Sequence, residues 1–207
     1  PRAVVARLRQ VGCPVVMGNT DAWALDPHPH PIRNADSERL NAIELWGAAQ
    51  LDDTDRAFIR TFQPTIELAA GSELRLLCYH GSPRSFHEGL LATTPDEQLD
   101  AALAGCTATL LAGGHTHTQM VRRHGEKLLI NPGSVGQPVE RVAEGVRYPP
   151  WAEFAVVEVL PGGDSGGGAG YTLSVALRRI PVDVAEVVKL AYAGGMPHAE
   201  WWVGHWR

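Results

Sequence analysis

The spacing of apolar and polar positions divides the chain near residue 118. Before that point helices and strands alternate. Val4, Val5 and Leu8 recur at helical spacing and Gly12 stops the run, so a helix is expected over 3–10. A short apolar strand, Val15, Val16 and Met17, follows. Alternate prolines at 27, 29 and 31 exclude helix and sheet, leaving His28 and His30 on a solvated loop. Residues 36–50 read as a helix with Leu40, Ile43 and Leu45 among its apolar positions, and Asp52 caps another bearing Ala57, Phe58 and Phe62. Residues 74–79 form a mostly buried strand that delivers His80 and Gly81. Thr94, Pro95, Asp96 and Glu97 have the form of a capping box, which predicts a helix over about 95–104. Residues 107–112 make the next strand, and it runs into Gly113, Gly114, His115, Thr116 and His117.

Beyond 118 the pattern changes to consecutive strands. Residues 118–123 and 127–130 flank His124, Gly125 and Glu126 as a hairpin. Residues 154–160 and 171–180 form a second pair across the glycine-rich run 162–168. That run lacks a following Gly-Lys-Ser/Thr, so a mobile hairpin connection is expected instead of a phosphate loop. Val184, Val187, Val188 and Ala191 mark an amphipathic helix capped by Asp183. Trp201, Trp202 and Trp206 close the chain, to pack on its own sheet or on a partner. No internal repeat is seen.

Composition narrows the function. A chain of 207 residues with 44% hydrophobic and 20% charged residues suits one ordinary globular domain spanning 1–207. A net charge of -5 and a pI near 6.0 provide no basic surface for an extended nucleic acid, though a site for one phosphate remains open. No apolar run approaches the roughly 20 residues of a membrane-spanning helix, and residues 1–20 lack a secretory signal. Cys13, Cys78 and Cys106 are odd in number and widely spaced, which points to buried small side chains in a reducing cytoplasm.

The chemistry collects where strands end. Residues one apart point in opposite directions on a regular strand, so His115 and His117 serve one site only if the backbone leaves that geometry, as the preceding glycines allow. Gly18-Asn19-Thr20-Asp21 and His80-Gly81-Ser82-Pro83 also follow apolar strands. A single strand-end histidine is ordinarily a hydrogen-bonded structural residue. Three such clusters converge naturally beyond the carboxyl ends of strands in an α/β sheet. Imidazole nitrogen with amide or carboxylate oxygen, and no thiolate, suits Mn, Fe, Zn or Ni.

These motifs, together with Arg84 after Pro83 and the run Ile130-Asn131-Pro132-Gly133-Ser134-Val135-Gly136-Gln137-Pro138, closely resemble the calcineurin-like metallophosphoesterases, and most of all their small bacterial phosphodiesterase branch. The resemblance covers essentially the whole chain. It implies an α+β fold, a four-layer α/β/β/α sandwich of two mixed β-sheets, with two divalent ions, Mn first among the four, where the sheets meet. It makes Asn19, His80 and His115 ligands of one ion and His117 a ligand of the other. The implied reaction is in-line attack of activated water on a small phosphodiester, ahead of a phosphomonoester or a protein phosphatase-like activity. Asp21 is expected to orient Asn19 or Thr20, Arg84 to clamp substrate phosphate or form a surface salt bridge, and Asn131 and Ser134 to hold the floor of the site. The oligomeric state is left open.

The sequence departs from the family pattern at two places. Thr20 stands where many members carry a histidine thought to protonate the leaving group, which disfavours unactivated monoesters. The family's Asp-x-His and Gly-Asp motifs have no counterpart, since no acidic residue precedes Asp21. One strand-helix-strand unit is therefore expected to be missing at the N-terminus. A non-catalytic interaction module of the same fold is the rival reading.

Overall fold

In the computed structural model, which describes residues 1–70, 74–143, 145–161 and 171–206, the chain begins with four helices. These are α1 (Arg2–Val11), α2 (Asn19–Leu25), α3 (Ala35–Ala49) and α4 (Asp53–Ile59). Gly12 ends α1 at φ 68°, a left-handed conformation that glycine adopts without strain. Asn34 caps α3 by accepting from Ser37 N–H, and Asp52 caps α4 by accepting from Asp55 N–H. Val5, Met17, Ile59 and Phe62 bury one another between these helices. The expected strand at 15–17 shrinks to one parallel bridge, Val16 to Gln63.

The rest of the chain builds the sheets. In order come β1 (Thr65–Ala70), β2 (Leu74–Tyr79), α5 (Asp96–Ala102), β3 (Leu110–Ala112), β4 (Met120–His124), β5 (Lys127–Asn131), β6 (Glu140–Val142), β7 (Gly145–Arg147), β8 (Trp151–Pro161), β9 (Tyr171–Pro181), α6 (Val184–Ala193) and α7 (Ala199–Val203). The main sheet has the order β1-β2-β3-β5-β4, with β2, β3 and β5 parallel and an antiparallel strand at each edge.

Strand alternation sorts its side chains. Leu77, Leu111 and Leu129 are register partners on one face, where Leu99, Ala102 and Leu103 of α5 cover them. Leu76, Leu110 and Leu128 are partners on the other, against Val157, Leu173 and Val175 of the β8–β9 hairpin. Leu110, Leu111 and Leu129 are fully buried, each contributing about 1.5–3 kcal/mol, whereas Leu76, Leu77 and Leu128 are partly buried. The result is a mixed α/β fold in which a five-stranded sheet lies between a helix and a long hairpin.

Several local expectations change. Pro95, not Thr94, occupies the N-cap of α5; Thr94 Oγ1 instead accepts from Leu91 N–H, so no capping box forms. Cys13 is exposed, whereas Cys78 and Cys106 are half-buried, and all three are free. The tail tryptophans pack within the chain: Trp202 and Trp206 lie 6.1 and 5.7 Å from the Tyr148 ring. The glycine run 162–168 falls outside the described residues. Among the described residues no helix is long and apolar enough to cross a membrane.

Candidate functional site

Because β2, β3 and β5 are parallel and in register, their carboxyl ends share one edge. Cys78, Ala112 and Ile130 are partners, so the residues just beyond them are neighbours. Gly114 N–H donates to His80 O at 2.7 Å and Gly113 N–H to Ile130 O at 2.9 Å, joining the three exits. Asn19 enters as the first residue of α2. A Cβ on Gly18 would lie 3.2 Å from the His80 ring and 3.0 Å from Asp21 Oδ2, so the absence of a side chain lets the imidazole close on this helix start.

Three of the expected ligands meet. His80 Nε2 lies 2.8 Å from Asn19 Oδ1 and 3.3 Å from His115 Nδ1. Two donors about 2.1 Å from one ion, at angles of 90–110°, would be roughly 3.0–3.4 Å apart. The His80–His115 separation falls in that range, whereas the His80–Asn19 separation is shorter and is that of a direct hydrogen bond. Among the described residues no group of three His, Cys, Asp or Glu side chains is placed to hold a metal, so the set rests on Asn19 and on two imidazoles.

His117 is not part of that triplet. Its Nδ1 donates to Gln137 O at 2.7 Å, which leaves Nε2 with its lone pair, the tautomer a metal-binding histidine needs. Both histidines sit in the left-handed region, His115 at φ 62° and His117 at φ 56°, and this departure from strand geometry sends them to separate partners. Burial favours the neutral form of His80 and His115. Burial lowers the His80 pKa to about 4, with the charges of His115, His117 and His87 adding to the effect. Burial and then His87 and His117 lower that of His115. Neutral imidazoles at neutral pH are competent metal donors.

The surrounding candidates take definite places. Asp21 Oδ2 accepts from Gly18 N–H at 2.9 Å, so it caps α2 and does not bond the side chain of Asn19 or Thr20; burial raises its pKa. Thr20 is exposed. Arg84 is engaged: Nε donates to Glu88 Oε2 at 2.9 Å and Nη1 to Ala101 O at 2.8 Å, while Glu88 also accepts from Ser82. Of its two expected roles, the structure shows the ion pair. Asn131 is buried at 2% exposure; Nδ2 donates to Gly114 O and Thr116 Oγ1, and Oδ1 accepts from Gly133 N–H. Ser134 Oγ accepts from Gln137 N–H, and Ser134 O from Glu153 N–H. Gly133 sits at φ 84° with Glu153 where a Cβ would go, so β8 presses directly on this turn.

Sequence reasoning passed over His87. It is an exposed histidine that bears electrostatically on both His80 and His115 and whose backbone lies beside the His115 side chain. Its only signal was its place seven residues after His80, in a loop that returns to the same edge.

The model of the calcineurin-like phosphoesterase superfamily domain matches residues 2–149. Among solved structures, a metallophosphoesterase from Sphaerobacter thermophilus is similar with a TM-score of 0.65 at 19% identity, over 98% of this chain and 80% of that one. A hypothetical protein from Pyrococcus horikoshii OT3 is similar with a TM-score of 0.68 at 16% identity, over 95% of this chain and 74% of that one. At such identities the likeness is one of fold. A search of curated proteins finds no match.

Proposed function

Since the chain belongs to the calcineurin-like phosphoesterase superfamily, we propose that it is a metal-dependent phosphodiesterase of the cytoplasm, acting on a small phosphodiester. The observation that carries this reading is the convergence of Asn19 Oδ1, His80 Nε2 and His115 Nδ1 at the carboxyl edge of the parallel strands. These three residues would hold one divalent ion, with Mn the first choice and Fe, Zn or Ni as alternatives, and His117 would serve a second. Bound there, such ions would supply Lewis-acid activation of water and offset the charge that develops on phosphorus.

The chain's own residues do the placing. Asn131 and Ser134 fix the floor, Gln137 O holds His117 in one tautomer, and burial favours neutral imidazoles at His80 and His115. Thr20 is a poor acid at an exposed position, which supports esters whose leaving group departs without a proton donor, diesters ahead of monoesters. The three free cysteines support a reducing compartment.

The test is steady-state hydrolysis of bis-p-nitrophenyl phosphate and p-nitrophenyl phosphate with Mn²⁺, with and without chelator. Diester hydrolysis that needs the metal, and falls at least about a hundredfold in His80→Ala, is expected. No turnover with Mn, Ni, Fe or Zn would leave a phosphoesterase-like interaction module as the better reading.

A further inference from the structure

A cavity of about 720 Å³ opens between the start of α3, the β6–β7 hairpin and α7. That volume lies in the range of about 300–1,000 Å³ that encloses a drug-sized molecule, so a lone phosphate or ammonium group would leave most of it unfilled. Its walls include the rings of Tyr148, Trp201 and His205, with Trp201 and His205 edge to face at 4.8 Å and Tyr148 and His205 5.4 Å apart. Leu40 adds apolar surface. Aromatic and aliphatic walls favour a flat ring.

Asp36 and Glu200 contribute carboxylates, which at neutral pH only accept hydrogen bonds; that of Asp36 already accepts from Arg39 Nη1 at 2.9 Å, with the Arg39 guanidinium over the Trp201 ring, which leaves Glu200 as the open acceptor. The cation of the wall, Arg147, is held by Glu140, to which its Nε donates at 3.0 Å. Glu200 forms no side-chain hydrogen bond or ion pair with a described residue. The cavity thus asks for a planar ligand with N–H donors at its edge. Guanine offers an adjacent ring N–H and amino group that one carboxylate can accept together, whereas adenine offers a single amino donor beside an acceptor.

The cavity is also joined to the histidines. The Gln137 side chain lies near the Tyr148 hydroxyl, and the Gln137 carbonyl accepts from His117 Nδ1 at 2.7 Å. One residue therefore links the aromatic wall to the floor of the candidate active site.

We propose that this cavity binds a guanine base, which makes the substrate a nucleotide-derived phosphodiester. The base site stands on the cavity itself; its place in a substrate rests on the phosphodiesterase reading above.

Calorimetric titration of the Mn²⁺-supplemented protein with guanosine, adenosine and choline tests it, since none of these carries phosphate. Guanosine is expected to bind about tenfold more tightly than adenosine, with choline silent. Glu200→Gln, a change at an exposed side chain, should remove most of that preference. Trp201→Ala should weaken both nucleosides by about tenfold or more, and Trp201→Phe, which keeps a ring, should restore much of the loss. Circular dichroism and melting of each variant establish that it is folded. The absence of nucleoside binding to the wild type, or binding that Glu200→Gln and Trp201→Phe leave unaltered in strength and preference while folded Trp201→Ala also binds normally, would overturn the proposal; so would binding of choline in place of guanosine. Wild-type hydrolysis of bis-p-nitrophenyl phosphate is read separately. Guanosine binding without hydrolysis removes the phosphodiesterase reading and leaves the base site, whereas hydrolysis without guanosine binding removes the base site alone.

Discussion

Asn131→Ala should be the most damaging single truncation near the candidate site. The wild-type side chain is 2% exposed and makes three hydrogen bonds, to Gly114 O at 2.8 Å, Thr116 Oγ1 at 3.0 Å and Gly133 N–H at 2.9 Å. Two of these partners flank His115, whose left-handed backbone is itself unfavourable. At roughly 1 kcal/mol per hydrogen bond, with something more for leaving a buried N–H unpaired, the loss is about 3–4 kcal/mol. For a domain of this size that lowers the melting temperature by roughly 6–16 °C. Urea unfolding measures it, as a lower midpoint with an unchanged slope. Thr116→Val removes one of the three bonds and should lose about 1 kcal/mol. Asn131→Asp keeps the acceptor but turns a carboxylate toward Gly114 O, so it should do no better than alanine. Mn²⁺ affinity of folded Asn131→Ala, read by competition with a chelator dye, should fall at least about tenfold, a change worth 1.4 kcal/mol. A stability loss under about 1 kcal/mol with metal affinity intact would refute the view that Asn131 holds His115 in place.

Further outcomes follow from the same geometry. His115→Gly removes an L-residue from φ 62° and should stabilise the metal-free protein by roughly 0.5–1 kcal/mol while weakening metal binding; equal or lower stability in urea would count against strain at this position. The His80 pKa is about 4 in the folded chain and near its ordinary 6.5 when unfolded, so between these values the unfolded state takes up the proton. Metal-free stability should therefore be retained above pH 6.5 and decline as pH falls toward 4, with a shallower decline in His80→Gln, as thermal melts across that window will record. Arg84→Ala, which breaks an exposed pair with Glu88, should leave the melting temperature little changed and KM for a diester within twofold; a tenfold rise in KM would put the guanidinium on the substrate.

Much of this architecture is visible in the sequence because burial imposes a period. Strand β2 begins and ends where its apolar run does, and the β4–β5 and β8–β9 hairpins lie close to their alternating segments. Asp52 and Asp183 cap the helices their positions suggested. The approach of His80 to His115 follows from two strand-end motifs, once the strands are parallel neighbours. Other elements leave no such trace. Strand β1 lies at a sheet edge, and its alternation is only two apolar positions long, Ile66 buried and Leu68 exposed, too short to stand out. The β6–β7 hairpin has three-residue strands that are largely exposed. Helix α2 begins inside a motif that reads as a strand exit, and its cap is Asp21 reaching back to Gly18. The choice between Arg84's two expected roles, and the place of His87, left no trace because a polar residue near a motif has no period to betray its partner.

The pressure of β8 on Gly133 has a bearing on how the protein is made. Glu153 occupies the space over the turn that carries Ser134 and Gln137, so the floor beneath His117 is finished only after residue 153 has left the ribosome. At about 5–20 residues per second, the histidines spend seconds outside the tunnel before their geometry exists. Loose imidazoles rank metals by intrinsic affinity, copper above the rest. On the reading proposed above, the late arrival of β8 separates synthesis of the proposed ligands from assembly of the edge they share.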